Sequence, residues 1–149
     1  MANRAVITTR KDLKDIGVYL HWNGGRDSVE GFLTYCKIKG YRPPECDNYG
    51  WAYLCTTIGN FFGQSGPPAV DIANKLDCDN WDNGTYIIKD WKIVDRLYKR
   101  RREQAVYPLM DMLLSIDERQ PEPLGEEAIK AALEKIKQEE ITTFCCPVL

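Results

Sequence analysis

Two rhythms of apolar and polar positions alternate along the chain. Ala5–Thr8 and Val18–Trp22 are short runs rich in β-branched and aromatic residues, bounded by Lys and Gly, and they predict strands. Asn23-Gly24-Gly25 then breaks the chain. Beyond it, Val29, Phe32, Leu33 and Cys36 recur at i, i+3, i+4 and i+7, which buries one face of a helix ending at Gly40. Asp27 or Ser28 supplies the expected cap, with Glu30 placed as in a capping box. After Pro43-Pro44 a second helix is predicted from about Tyr49 to Phe62. Trp51, Cys55, Ile58 and Phe62 form its stripe, and Leu54 and Phe61 flank it, so it is expected near the centre of the fold.

The pattern returns to strand spacing at Val70–Ala73, Thr85–Ile88 and Trp91–Val94. The last two, separated by Lys89-Asp90, form either a tight hairpin or one long strand with a polar bend. Beyond Arg96 the spacing turns helical, with Val106, Leu109, Met110, Leu113 and Leu114, and after Pro121 and Pro123 a last amphipathic helix carries Ile129, Ala132, Leu133 and Ile136. Its acidic first turn, Glu126-Glu127, suits the helix dipole. The expected fold class is α+β: a small antiparallel sheet with packed helices and a C-terminal helical extension. The expected organisation is a single ligand-binding domain over 1–149, with an α+β core at 1–102 and C-terminal helices at 103–149.

Composition narrows the function classes. A chain of 149 residues matches one domain, 44% hydrophobic and 11% aromatic residues argue against disorder, and no apolar run approaches a membrane span or a signal sequence. The expected location is the cytoplasm. The net charge of −2 hides a basic run, Arg96, Lys99, Arg100, Arg101 and Arg102, so any anion site must be local and nucleic acid is an unfavoured partner. Six cysteines without C-x-x-C spacing and a single histidine predict no metal site, and reduced, packed thiols. The C-terminal Cys146-Pro147-Val148-Leu149 fits the C-a-a-X prenylation pattern, but proline is atypical there and the match reads as chance.

Catalytic patterns are missing: no Gly-x-Ser-x-Gly elbow, no phosphate-binding Gly-x-x-x-x-Gly-Lys and no Cys/His pair at a family spacing. His21, oriented by Asp27, is the one candidate general base, and without a nucleophile it reads better as a structural or ligand-contacting residue. An enzyme is not expected, nor a cofactor. Two anion-binding constellations stand out. In His21-Trp22-Asn23-Gly24-Gly25-Arg26-Asp27, a glycine turn opens a helix whose N–H groups, with Arg26, suit a phosphate, and Trp22 offers a stacking face. Its plainer reading is a tight turn with Arg26 paired to an acid. In Asp79-Asn80-Trp81-Asp82-Asn83-Gly84 with Arg96 and Arg100, amides and carboxylates suit ribose hydroxyls and arginines suit phosphates. Arg96 and Arg100 share a face if that stretch is helical; the plainer reading is a solvated charge run.

Three stretches, Val18–Glu30, Tyr49–Gly63 with Tyr49-Gly50-Trp51-Ala52 and Ile58-Gly59-Asn60-Phe61-Phe62-Gly63, and Asp82–Val94, together resemble the Thoeris anti-defence type-one family of phages and prophages of Gram-positive bacteria. The resemblance covers roughly residues 1–100. It implies a sponge that binds a cyclic ADP-ribose isomer made by a TIR-domain enzyme, without degrading it. Some members also take up cyclic oligonucleotides in a separate pocket, and members assemble as dimers or higher oligomers. Asn80, Asp82, Arg96 and Arg100 have the residue types and order that the family uses for ribose and pyrophosphate. The stacking aromatic stays open among Phe61, Phe62, Trp81 and Tyr86. The alternative is a protein-binding inhibitor or regulatory module of a phage, comparable to an anti-CRISPR protein, with the charged C-terminal helix as its contact element.

Overall fold

The computed structural model describes residues 2–145; Cys146–Leu149, with its prenylation-like pattern, lies outside the described residues. The order of elements is β1 (Ala5–Thr8), β2 (Ile16–Leu20), α1 (Arg26–Ile38), α2 (Tyr49–Phe62), β3 (Ala69–Ile72), β4 (Thr85–Lys89), β5 (Lys92–Leu97), α3 (Leu109–Glu118) and α4 (Glu126–Cys145). The α+β class agrees with the hydrophobic pattern. The five strands lie in the order β3-β2-β1-β4-β5. Three of the four pairings are antiparallel, but the central one, β1 with β4, is parallel, so the sheet is mixed. Strand pattern cannot reveal this, because the direction of a pairing is set by the long crossover between the two strands.

Alternation in the strands sorts the two faces. Ala5, Ile7, Val18, Leu20, Tyr86 and Ile88 point to the helices and join one buried cluster with Val29, Phe32, Leu33 and Cys36 of α1. Val6, Thr85 and Ile87 point the other way and are also buried. The segment 73–84 crosses that second face: Thr85 Oγ1 donates to the Cys78 carbonyl at 3.0 Å, and Ala73 and Leu76 fill the space beside Gly17.

The centre of the helical layer is α1, which touches α2, α3, α4 and β5, rather than α2 as the girth of apolar residues predicts. On α2, Trp51, Leu54, Thr57 and Ile58 are buried while Tyr49 and Tyr53 are exposed. Gly31 explains the close approach of α3 to α1, since a Cβ there would lie 2.5 Å from Met112 Cγ. Met112, Leu113, Ile116, Ile129 and Leu133 bring α3 and α4 into the same core.

The β4–β5 junction is a tight hairpin. Asp90 and Trp91 both have positive φ (51° and 59°), the backbone of a primed turn that matches strand twist. Trp91 is held there by its burial and by its Nε1 donating to the Tyr41 carbonyl at 2.8 Å.

A buried carboxylate ties three helices. Asp117 on α3 accepts from Tyr35 Oη of α1 at 2.7 Å and from the Leu124 and Gly125 amides, at 2.8 and 2.9 Å, ahead of α4. Burial alone would push its carboxyl up, but these hydrogen bonds outweigh it and hold the group below 3.8. Its contribution is therefore complete above the unfolded carboxylate value and is lost as pH falls through the lower folded value. Asp117→Ala is expected to lower the unfolding free energy by about 3 kcal/mol in urea titrations at pH 7, with a smaller difference from the parent at pH 3 than at pH 7.

Candidate functional site

The glycine turn is explained first by packing. Gly24 lies against the backbone of Asn3 and Arg4, and a Cβ on Gly25 would meet the Gln104 carbonyl oxygen at 1.5 Å. The segment between β5 and α3 thus runs over the start of α1 like a strap. Asp27 fastens it by accepting the Val106 and Tyr107 amides, while the Gln104 amide donates to Asn83 Oδ1 at 2.8 Å. Gly25, not Asp27 or Ser28, is the cap residue of α1, and no side chain caps the helix. The capping box expected from Asp27 and Glu30 gives way to this long-range use of Asp27.

Below the strap lies a cationic cleft. Tyr86 of β4 pairs with Arg96 of β5 across the ladder, so both face the helices. Arg26, in the first turn of α1, places its guanidinium carbon 5.5 Å from the centre of the Tyr86 ring. Glu103 of the strap takes Nε and Nη2 of Arg26 at 2.8 Å each and lies 3.5 Å from Arg96 Nε. Arg96 also donates to the carbonyls of Asn83 and Arg101, at 2.7 and 2.6 Å. Arg26, Arg96, Lys99, Arg102, Glu103 and Asp95 line a cleft of about 500 Å³ together with Ile93 and Val94. Four cations thus face two carboxylates, and Asp95 is engaged by Lys11 at 2.8 Å.

The Tyr86 hydroxyl is buried without a hydrogen-bond partner among the described residues. Burial pushes its acidity well away from neutrality, and Glu103, Arg96, Arg26 and Asp27 are the charges that act on it. It is therefore a neutral, buried O–H group on a ring that lies beside Arg26.

The other candidate residues have different employment. Asn80 is 1% exposed; it donates to the Asp77 and Gly84 carbonyls and accepts from the Asp82 and Gly84 amides, at 3.0 to 3.1 Å. Asp82 accepts from both the amide and Nε of Arg4 at 3.1 and 2.7 Å. Both residues hold the 77–84 loop against the start of β1, and the polar atoms of the Asn80 side chain are fully engaged within the protein. Arg96 lies on a strand and Arg100 in the bend after it, so the helical face expected for that pair does not form. Arg100 grips both oxygens of Asp79 at 2.7 and 2.8 Å and stacks 4.5 Å over Trp81. His21 is exposed and bonded to Tyr19 Oη at 2.9 Å rather than to Asp27, and the 43%-exposed Trp22 meets it edge-on at 4.8 Å. Between the two constellations, Arg26 of the first and Arg96 of the second meet at Glu103.

Phe62 is elsewhere again. With Phe61 it borders a groove of about 700 Å³ between the end of α2 and α3, where Asp111, Ser115 and Arg119 form a stripe and Asn23 and Tyr107 close one end. The Arg119 guanidinium carbon sits 4.5 Å over the Phe61 ring. Lys99 and Arg102 had only the charge run as their signal, and Glu103 and Arg119 had none.

Among the described residues no helix is long and apolar enough to cross a membrane, and no group of three or more metal-ligating side chains converges. Asn80→Ala is expected to destabilise the fold by about 2–3 kcal/mol in chemical denaturation, because it orphans buried amides and carbonyls of its own loop. Set against known proteins, the chain finds no match in any protein-family model, curated protein or solved structure.

Proposed function

We propose that the protein binds and sequesters a cyclic ADP-ribose-type nucleotide signal in the cytoplasm of an infected bacterium, as the resemblance to the Thoeris anti-defence family implies. One observation carries the reading: Arg26 and Arg96, 70 positions apart in the sequence, converge on a single carboxylate inside a cationic cleft. The Arg26 fork on a carboxylate, with the Arg96 charge 3.5 Å from the same group, is an arrangement suited to phosphate oxygens. Lys99 and Arg102 add the charge that a second phosphate needs. The cleft volume falls in the range of small-molecule sites.

Sequestration rather than turnover is supported by the lining. The cleft has cations, a paired glutamate and aliphatic side chains, with no serine, cysteine or histidine beside them. Slow release needs affinity and not transition-state groups. The cleft wall has no exposed aromatic ring to hold a base. The exposed Val94 in the cleft, and Tyr98, Val106 and Tyr107 nearby in sequence, favour cover by a second copy of the chain, in line with the oligomers of the family. The Phe61–Phe62 groove offers aromatic edges and an arginine and is the second place to look for ligand.

Incubating the protein with cyclic ADP-ribose isomers, denaturing it by heat and recovering the small molecule tests the proposal. Intact ligand is the expected product; a converted product would assign an enzyme instead, and failure to retain any isomer would favour a protein-binding inhibitor. Arg26→Ala and Arg96→Ala are each expected to weaken binding by about 1.5–3 kcal/mol, tenfold or more in Kd. Native mass spectrometry of the same mixtures reads the number of chains and ligands.

A further inference from the structure

The cleft already holds an anion of its own. Glu103 projects from the strap into the angle between Arg26 and Arg96, and its two oxygens take up the Nε and Nη2 donors of Arg26. The pair is not a deep core contact, since the glutamate and Arg26 side chains are 21% and 36% exposed and border solvent. Nor does the strap depend on it. Gln104 to Asn83, and Val106 and Tyr107 to Asp27, fasten the segment immediately after Glu103 without its side chain. The carboxylate also fits the seat incompletely. Neither Lys99 nor Arg102, which line the same cleft, belongs to an ion pair among the described residues.

Resting on the reading of this cleft as the anion site, we propose that Glu103 is a tethered surrogate for the ligand's phosphate and thereby sets the selectivity of the cleft. A ligand enters by displacing the glutamate side chain from Arg26 and Arg96 while the strap stays in place. A tethered carboxylate competes at an effective concentration of about millimolar. Apparent affinity is the intrinsic affinity multiplied by the fraction of time the seat is free. A monoanion replaces one charge with an equal one and gains too little to overcome the tether. A ligand with two adjacent phosphates replaces it with more charge and reaches Lys99 and Arg102 as well. The glutamate thus rejects the abundant singly charged phosphodiesters and admits pyrophosphate-bearing molecules.

The test uses the full chain, isothermal titration calorimetry, and two probes, inorganic pyrophosphate and dimethyl phosphate. The parent is expected to bind pyrophosphate and to ignore dimethyl phosphate. Glu103→Gln, which keeps the size and removes the charge, is expected to bind pyrophosphate roughly tenfold tighter or more, and to bind dimethyl phosphate measurably. Glu103→Ala should repeat the gain, and unchanged thermal melting without ligand shows that both variants keep the fold. If the variants bind pyrophosphate no tighter than a parent that does bind it, the surrogate role is overturned while the cleft stands. If parent and variants all fail to bind either probe, the cleft assignment falls and the surrogate role falls with it.

Discussion

The approach of the Gln104 carbonyl to Gly25 is the constraint on which the rest of this architecture turns. Only a residue without Cβ lets the strap pass over the start of α1, and the passage forces three consequences. It brings Glu103 to Arg26, it lets Asp27 accept two amides of a segment far away in sequence, and it closes the cleft over the Tyr86–Arg96 pair. The backbone donors at the helix start, which elsewhere invite a phosphate, here lie under protein. Any anion the chain binds through this region meets guanidinium groups rather than the helix end.

Electrostatics in the molecule follow from internal pairing more than from net charge. The basic run looks in sequence like an exposed patch for nucleic acid. In the fold Arg96 serves two carbonyls and approaches Glu103, and Arg100 is gripped by Asp79 over Trp81. Lys99 and Arg102 lie at the rim of the cleft. The basic run thus spends part of its charge on partners within the chain, and its remaining cations gather with Arg26 in the cleft.

Much of the fold was readable because burial imposes simple periods. The Val29, Phe32, Leu33, Cys36 stripe is fully buried, Ala5–Thr8 is a strand as expected, and the helical spacing around Leu113 and Ile129 marks α3 and α4. What periodicity does not encode was missed: the parallel β1–β4 pairing, the central place of α1, and the non-helical path after Leu97. The site was less readable still. Arg26 and Arg96 were identified by residue type and do meet, yet Asn80, chosen for the same reason, is engaged by its own loop and Asp82 by Arg4. Side-chain chemistry names what a residue can bind. Which partner reaches it first is decided by burial and by segments far apart in the chain, and Glu103, which faces Arg26 from across the strap, has no local motif to announce it.

The position of β1 in the sheet has a bearing on how the molecule is made. The N-terminal strand is the middle strand, flanked by β2 a few residues on and by β4, whose pairing joins Val6 to Thr85. Until a ribosome has delivered β4, β1 has only β2 beside it, and its other side is unpaired. Closing the sheet is then a long-range event that carries the entropy of a large loop, the kind of step that slows folding and leaves a strand edge open in the meantime. The charged and polar residues between β1 and β2, Thr9 to Asp15, guard the end of that hairpin during the wait, and the growing α1 has its apolar stripe ready to cover one face before the last strands arrive.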